Sequence, residues 1–277
     1  MESGLYIVAT PIGNLGDLSP RALAVLGGAD LVAAEDTRHT RRLFTHHGID
    51  TPLTAYHEHS DAAAADRLCD RVAAGEAVAL VSDAGTPLVS DPGYRLVRLA
   101  QDRGLPVLPI PGPCAAITAL SAAGLPSDRF RFEGFLPAKA GPRAARLAAL
   151  TDERATLVFY EAPHRVLETL EALVEAFGTG REAVLARELS KAFETIRRAP
   201  LGALRDVVAD DPDQRRGEIV LLVAGSEAAE PAIDAALGQL ARELARDLPA
   251  KRVAALLSAY SGVRKNQLYR WLLEQPG

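Results

Sequence analysis

Apolar residues along the first part of this chain occur in short continuous runs and in longer stretches with helical spacing. Residues 77–81 form one such run, which is typical of a parallel strand buried on both faces. Residues 94–103 have apolar positions at helical spacing, and Gly104 can end that helix. The stretch 81–93 between them is rich in Gly, Pro, Ser and Asp. This order predicts a ligand-binding loop at the carboxyl end of a strand, with a structural turn as the alternative.

The same order of elements recurs before this loop. Residues 5–9 and 29–34 predict two more strands, followed by the loop 10–17 and by the charged run 35–42. Ser19 and Pro20 are typical of a helix start. Residues 62–74 and 115–123 predict further helices, and we expect a buried, proline-rich loop before the second of them. The charged run either faces an active cleft or forms a solvated edge.

A second α/β unit is predicted from about Leu125 onward. Residues 130–132, 156–160, 183–186 and 219–224 predict strands, and the apolar stripe of residues 166–177 predicts a helix that Gly178 ends. We therefore expect an N-terminal α/β domain over residues 1–124 and a second α/β domain over residues 125–226.

The C-terminal segment has a different pattern. Residues 227–231 predict a linker, and residues 232–277 predict a domain of three short helices. Its cations cluster around Asn266 and Tyr269: Lys251, Arg252, Arg264, Lys265 and Arg270. A small helical bundle with cations and an aromatic residue resembles a nucleic-acid-binding appendage. A dimerisation bundle is the alternative.

Composition narrows the class of protein. A content of 48% hydrophobic and 24% charged residues is ordinary for a soluble protein, and a net charge of −5 excludes a general affinity for polyanions. We expect a cytoplasmic protein without a signal peptide and without a membrane partner. The uncharged stretch 104–127 is interrupted by prolines, and its remainder is shorter than the roughly 20 residues of a spanning helix. Cys69 and Cys114 suit a reducing compartment.

Several common ligand motifs do not fit this chain. The loop 10–17 is not followed by Gly-Lys-Ser/Thr, and it lacks the Gly-x-Gly-x-x-Gly pattern of dinucleotide sites. His57 and His59 flank Glu58, but no third ligand stands at a regular offset, so a polar loop is favoured over a metal site. We expect no metal.

Seven collinear segments carry a resemblance to a known family. They are residues 9–17 (Ala-Thr-Pro-Ile-Gly-Asn-Leu-Gly-Asp), 34–38, 82–93, 109–113, 159–165 (Phe-Tyr-Glu-Ala-Pro-His-Arg), 186–191 and 217–220. Together they resemble the tetrapyrrole methylase superfamily, and within it the ribosomal RNA small-subunit (cytidine-2′-O-)-methyltransferase branch. The resemblance spans residues 5–224, and the basic tail also resembles that branch.

The resemblance implies two α/β domains with S-adenosylmethionine in the cleft between them, and a homodimer. It implies methylation of a cytidine ribose in 16S small-subunit rRNA, within the 30S subunit. The cofactor contacts that it implies are Pro11, Asp83, Ala84, Gly85, Thr86, Pro87, Cys114, Ala115, Ala116, Tyr160, Glu161, Glu188, Leu189, Glu218 and Ile219.

The acceptor hydroxyl is weakly acidic, so a carboxylate or an amine can take its proton. The unranked candidates are Asp36, Glu161, Glu188, Lys191 and Glu194. At the expected strand ends, and in the tail, we expect phosphate contacts from Arg38, Arg41, Arg42, His164, Arg165, Lys251, Arg252, Arg264 and Lys265.

Two alternatives remain from the sequence. One is a methylase of corrin or porphyrin precursors, which the carboxylates of Glu161, Glu188 and Glu218 argue against because they would repel a carboxylated macrocycle. The other is a non-catalytic ribosome-assembly factor that retains the fold.

Overall fold

The computed structural model describes residues 1–57, 60, 62–226 and 233–274. Contacts divide the chain into two compact units, Met1–Gly225 and Ser226–Gly277. The first unit contains two β-sheets and the second is helical, so the expected α/β fold with a helical C-terminal segment is confirmed. The predicted linker at residues 227–231 lies outside the described residues, as do Glu58 and His59 of the predicted polar loop.

Five parallel strands form the first sheet: β1 (Gly4–Val8), β2 (Leu31–Ala34), β3 (Leu53–Ala55), β4 (Ala77–Val81) and β5 (Val107–Ile110). Their order is β3-β2-β4-β1-β5. The helices of this half are α1 (Pro20–Gly28), α2 (Thr37–His47), α3 (Ala62–Ala73), α4 (Tyr94–Asp102) and α5 (Ala115–Ala123).

Both faces of the first sheet are covered by helices. Tyr6 and Val8 of β1 pack in one cluster with residues of α1 and α2. Leu5, the neighbouring residue, points to the opposite face and packs with Leu68 of α3 and Leu96 of α4. Because successive side chains of a strand alternate in direction, burial on both faces requires the continuous apolar runs seen in the sequence.

The second sheet is mixed: β6 (Phe130–Phe135), β7 (Thr156–Glu161), β8 (Glu182–Arg187), β9 (Thr195–Pro200) and β10 (Ile219–Val223). Its order is β6-β7-β10-β8-β9, with β6 and β7 parallel and the other neighbours antiparallel. Helices α6 (Ala140–Ala148), α7 (Val166–Phe177) and α8 (Leu201–Asp210) cover one face, where Phe159 lies at the centre of an apolar cluster.

The other face of the second sheet is covered by α5, which comes from the N-terminal half. Ala116, Ala119 and Ala123 pack against Val158 of β7 and Val220 of β10. Helix α5 lies within residues 1–124, yet its contacts are with strands of the second sheet. The two predicted α/β domains therefore share a core along this helix.

The proline-rich stretch before α5 differs from the buried loop that the sequence predicts. Residues Val107–Ile110 form strand β5, in which Pro109 pairs in register with Ile7 of β1. A proline cannot donate a hydrogen bond to a neighbouring strand, so it is tolerated here because β5 is the outermost strand of the sheet.

Several further elements were not predicted. Helix α2 falls on the charged run, strand β3 lies shortly before the predicted polar loop, and β9 and α8 lie between β8 and β10. These segments are rich in charged residues or half exposed, so their apolar periodicity is weak.

The C-terminal unit consists of α9 (Ala235–Leu244), α10 (Ala250–Ser261) and α11 (Lys265–Glu274). Ala241, Val253, Leu257, Val263 and Leu268 form its own apolar core. Gly262 adopts a left-handed conformation with φ +73° and ends α10. Among the described residues of the whole chain, no helix is both long and apolar enough to cross a membrane.

We expect Phe159→Ala to lower the free energy of unfolding by about 3–5 kcal/mol, because its fully buried ring (0% exposed) would leave a cavity. The control is Tyr260→Ala, whose ring is 84% exposed and whose loss should cost under about 0.5 kcal/mol. Urea unfolding should be followed by far-ultraviolet circular dichroism, since the single tryptophan, Trp271, lies in the C-terminal unit. Equal losses for the two variants would contradict the position of Phe159 at the core.

Candidate active site

A cavity of about 390 Å³ lies between the two sheets of the first unit. This volume is within the range of small-molecule sites. One wall comes from loops that follow β2 and β4 and from the start of α5. The other comes from the ends of β7 and β10 and from the loop after β8. The lining residues are Ile12, Glu35, Asp83, Ala84, Gly85, Thr86, Val89, Ser90, Asp91, Cys114, Ala115, Phe135, Tyr160, Glu161, Ala162, Pro163, Leu189, Gly217, Glu218, Ile219 and Val220.

The loop after β4 is fastened to its neighbours by backbone hydrogen bonds. The Thr10 N–H donates to the Gly85 carbonyl (2.9 Å), and the Gly85 N–H donates to the Thr10 carbonyl (3.0 Å). The Thr86 hydroxyl donates to the Pro113 carbonyl (2.8 Å). Gly85 has φ +80°, a conformation that favours glycine. These bonds join three loops at the carboxyl edge of the first sheet.

Tyr160 connects the second sheet to the start of α5. The Ala116 N–H donates to the Tyr160 hydroxyl oxygen (3.2 Å). The ring packs edge-on against Phe132 and Phe135, with centroids 4.9 and 5.8 Å away. Burial raises the pKa of Tyr160, so the side chain is a neutral hydroxyl at physiological pH. It therefore serves as a fixed, uncharged polar anchor in this wall of the cavity.

The loop after β8 closes one end of the site. Its Glu188 and Ser190 have positive φ angles of 53° and 62°. Lys191 donates to Glu188 (2.8 Å) and lies 3.1 Å from a Glu218 carboxylate oxygen, while the Asn14 N–H donates to the Ser190 hydroxyl (3.2 Å). Non-glycine residues in this conformation are strained, and the contacts between the two halves of the unit hold the loop in it.

Three carboxyl groups line the cavity on the side of the first sheet: Glu35, Asp83 and Asp91. Burial raises the pKa of Glu35, and the nearby Asp83 carboxylate acts in the same direction. Burial raises the pKa of Asp91 to about 6. This side of the cavity is therefore acidic, and it favours a cationic ligand. Within the described part of the chain, no three His, Cys, Asp or Glu side chains lie together as a metal site.

Most of the cofactor contacts expected from the sequence lie along this cavity: Asp83, Ala84, Gly85, Thr86, Cys114, Ala115, Tyr160, Glu161, Leu189, Glu218 and Ile219. Pro11 lines a neighbouring groove instead, and Pro87, Ala116 and Glu188 are not among the lining residues. The Glu188 carboxylate is directed toward Lys191 and the Glu218 N–H.

The sequence analysis missed Glu35, Ser90 and Asp91 as lining residues. Glu35 directly follows strand β2, next to the candidate Asp36, and Ser90 and Asp91 lie in the loop 82–93. Position at the end of a parallel strand was the available signal for Glu35. For the other two, the sequence does not show which part of a twelve-residue loop turns toward the cavity.

The proton-acceptor candidates differ in their surroundings. Burial lowers the pKa of Lys191, but the Glu188 and Glu218 carboxylates outweigh it and raise the pKa above its ordinary value, so the amine stays protonated. The Asp36 carboxylate is held by hydrogen bonds from the Arg38 side chain and backbone, which keep its pKa well below the usual range. Both groups are poor proton acceptors at neutral pH.

The three remaining carboxylates are also engaged. Glu161 is 3% exposed and accepts hydrogen bonds from the Thr169 hydroxyl (2.6 Å) and the Ala162 N–H (2.8 Å). Burial raises the pKa of Glu188, but the Lys191 ammonium and the Glu218 N–H outweigh it and hold the pKa below its usual value. Glu194 accepts from the Ser190 N–H. None of the five candidates combines an uncommitted carboxylate with a position on the cavity.

The expected phosphate-binding cations are placed in three different ways. Arg38, Arg41 and Arg42 are exposed on α2, and Arg42 lines the groove that contains Pro11. His164 is exposed near the end of β7. Arg165 is turned inward, and its guanidinium donates to the carbonyls of Leu136 (2.8 Å) and Pro137 (3.3 Å).

Comparison with known proteins decides the family. The family described as "Tetrapyrrole (Corrin/Porphyrin) Methylases" matches residues 4–205, and the "RsmI C-terminal HTH domain" matches residues 231–276. The chain belongs to the tetrapyrrole methylase family. The resemblance found in the sequence is confirmed.

Relatives match over the whole chain. "Ribosomal RNA small subunit methyltransferase I" of Pseudomonas aeruginosa is 58% identical, over 100% of this chain and 99% of the relative. The protein of the same name from Escherichia coli O157:H7 is 53% identical, over 100% of this chain and 96% of the relative.

Solved structures share the fold of this tetrapyrrole methylase. The methyltransferase CobJ matches with a TM-score of 0.60 and 21% identity, over 81% of this chain and 95% of that chain. Uroporphyrin-III C-methyl transferase from Thermus thermophilus, complexed with S-adenyl homocysteine, matches with a TM-score of 0.54 and 19% identity, over 80% and 97%.

Membership of this methyltransferase family confirms the expected cofactor, S-adenosylmethionine. The cavity fits it on physical grounds. Its sulfonium is cationic, and the Glu35, Asp83 and Asp91 side is acidic. The small side chains of Ala84 and Ala115 leave room for a ligand close to the backbone of the loop and of the helix start.

We expect Ala115→Leu to weaken S-adenosylmethionine binding at least about tenfold, because the larger side chain would occupy the cavity. Ala122→Leu is the control, since it makes the same change at an exposed position of the same helix. Titration calorimetry in excess chelator measures both and tests whether binding needs a metal. Equal affinities for the two variants would place the cofactor elsewhere.

Proposed function

We propose that this protein transfers a methyl group from S-adenosylmethionine to the ribose 2′-hydroxyl of a cytidine in 16S small-subunit rRNA. The observation that carries the proposal is the full-length similarity to relatives named ribosomal RNA small subunit methyltransferase I, which includes the basic C-terminal unit. We also propose that the protein is cytoplasmic and that its substrate is the assembled 30S subunit.

The chain would contribute mainly by positioning. S-adenosylmethionine supplies a methyl group that is already activated by its sulfonium. The loops that carry Gly85, Ala115 and Leu189 enclose the donor between the two sheets. Holding two reactants in attack geometry can supply roughly 7–11 kcal/mol of the barrier. The hydrogen bonds between Thr10 and Gly85 and between Tyr160 and Ala116 keep these walls fixed.

Two grooves beside the cavity suit the RNA acceptor. One is lined by Pro11, His39 and Arg42, and it shares Asp83 and Ala84 with the cavity. The other is lined by Tyr56, Tyr94 and Arg95. Arginine contacts to phosphate position a nucleic acid, and aromatic rings can stack on an unpaired base. These features support an extended nucleotide substrate.

The acidic cavity also argues against a macrocycle substrate. The carboxylates that carry this argument are not the three named from the sequence. Glu161 lies beside Arg165, and Glu188 and Glu218 beside Lys191, so the charges of these three carboxylates are largely balanced. Glu35, Asp83 and Asp91 have no such ion pair among the described residues, and they would repel a carboxylated porphyrin precursor.

The C-terminal unit is proposed to dock the substrate. One face of α11 presents Lys265, Asn266, Tyr269 and Arg270, all exposed. Cations outnumber acids in the described part of this unit: Arg242, Arg246, Lys251, Arg252, Arg264, Lys265 and Arg270 against Asp234, Glu243, Asp247 and Glu274. Since the whole chain has a net charge of −5, this unit is its main attraction for RNA.

A homodimer is also proposed. Three apolar side chains are exposed near one edge of the second sheet. Ile196 lies in the edge strand β9, Phe193 shortly precedes it, and Ile117 lies on the adjoining α5. Apolar side chains grouped on neighbouring elements support a protein interface there.

The deciding experiment is transfer of radiolabelled methyl groups to small ribosomal subunits that lack the modification. We expect label in 16S rRNA, resistant to base as a 2′-O-methyl ribose, with nuclease mapping placing it on one cytidine. Labelling of corrin or porphyrin precursors instead would support the small-molecule alternative. Cofactor binding without any transfer would support the assembly factor.

We expect a chain that ends at Ser226 to fold and bind S-adenosylmethionine but to methylate ribosomal subunits poorly. Each lost phosphate contact should also flatten the salt dependence of RNA binding, with a slope change of about 0.7–0.9 per contact. Filter binding at several salt concentrations measures the slope, and calorimetry checks the cofactor. Methylation equal to that of the full chain would contradict a docking role.

A further inference from the structure

Asp91 lies where the cofactor cavity meets an outer groove. The cavity and a groove of about 370 Å³ share the side chains of Glu35, Ser90 and Asp91. The groove is otherwise lined by Tyr56, His57, Ser60, Pro92, Gly93, Tyr94 and Arg95. A nucleotide that enters along this groove would therefore meet a donor in the cavity beside Asp91.

The three acids on the first-sheet side of the cavity differ in which groups their carboxylates already bind. The Asp83 N–H lies 3.4 Å from Glu35 Oε2, and the Asp36 N–H donates to Asp83 Oδ1 at 3.0 Å. These two side chains thus fasten the ends of β2 and β4 together. The Asp91 carboxyl lies near the Ser82 hydroxyl, and among the described residues no backbone N–H or cation is paired with it.

Charged and titratable groups face Asp91 from several elements. Glu35 follows β2, Asp83 lies in the loop after β4, and Tyr160 is the second-last residue of β7. His57 and Arg95 line the groove. Burial, with a smaller contribution from the Glu35 and Asp83 carboxylates, raises the pKa of Asp91 to about 6, and the nearby Ser82 hydroxyl acts in the opposite direction. At neutral pH the group is ionised, yet it binds a proton more tightly than an ordinary aspartate, which suits a general base.

The backbone around Asp91 is held in a strained form. Leu88 and Ser90 have φ angles of 73° and 67°, both unusual for residues with a side chain. The opposing strand β6 has glycine at 134, where a Cβ would lie 3.2 Å from the Ser90 hydroxyl oxygen. Such strain persists only where the surroundings hold it, so the direction of the Asp91 side chain is fixed by the fold.

We propose that Asp91 is the catalytic residue that accepts the proton of the attacking hydroxyl. The inference rests on the proposed ribose methylation. The hydroxyl oxygen attacks the methyl carbon and forms the new O–C bond. The C–S bond breaks, and its electron pair goes to sulfur, which becomes a neutral thioether. The hydroxyl proton passes to the Asp91 carboxylate and then to solvent through the groove.

The test is Asp91→Asn, which keeps a side-chain oxygen for the Ser82 hydroxyl but cannot take a proton. We expect kcat for rRNA methylation to fall about 10²–10⁴-fold, with the affinities for S-adenosylmethionine and rRNA changed by less than about threefold. Asp102→Asn is the control, because Asp102 is 66% exposed on α4 and makes its ion pair outside the cavity.

The pH profile separates catalysis from a structural role. Protonated Asp91 cannot accept a proton, so kcat of the wild type should fall on the acid side, and the bound sulfonium should move that limb to lower pH. The residual activity of Asp91→Asn should lack this limb, whereas Asp102→Asn should keep it.

Three results would overturn the inference. If Asp91→Asn is as active as the wild type, Asp91 is not the proton acceptor, whereas the proposed methylation is unaffected. An equal loss of cofactor affinity makes Asp91 a binding residue. A wild type that binds S-adenosylmethionine but methylates no rRNA defeats the proposed function, and this inference falls with it.

Discussion

The packing of helix α5 on the second sheet is the contact on which the site depends. Ala116, Ala119 and Ala123 are small enough for the helix to lie close to β7 and β10, and the shared core is buried. Because α5 follows directly from the first sheet, this packing fixes the distance between the two walls of the cavity. The Tyr160 hydroxyl then holds the start of the helix in place. A looser contact would widen the cavity and separate donor from acceptor.

The charges around the cavity fall into two groups with different uses. Glu161, Glu188 and Glu218 lie beside Arg165 or Lys191. These ion pairs stabilise the loops that carry them. Glu35, Asp83 and Asp91 lack such cations among the described residues and face the cavity. A sulfonium can balance that second group when it binds, so the acidic wall favours the charged donor over its neutral product.

Sequence reasoning worked where apolar residues form a continuous run or a regular stripe. Strand β4 and helices α5 and α7 have the predicted bounds, since burial on one or both faces demands a regular apolar pattern. It failed for α2, because the buried residues Thr40, Leu43 and Phe44 form only a narrow stripe among charged residues. In the site, the loop after β4 that lines the cavity was predictable from its composition. The inward turn of Asp91 was not, because it depends on the φ angles of Leu88 and Ser90 and on contacts across two sheets.

The proline of strand β5 has a consequence for assembly. An edge strand offers unpaired N–H and C=O groups to any passing strand, and Pro109 removes one donor from the outer edge of the first sheet. The opposite sheet ends in β9, six residues long and half exposed. Growth of a continuous sheet between two molecules is thus hindered at β5 and open at β9. The fold itself therefore disfavours strand pairing between two molecules along the β5 edge.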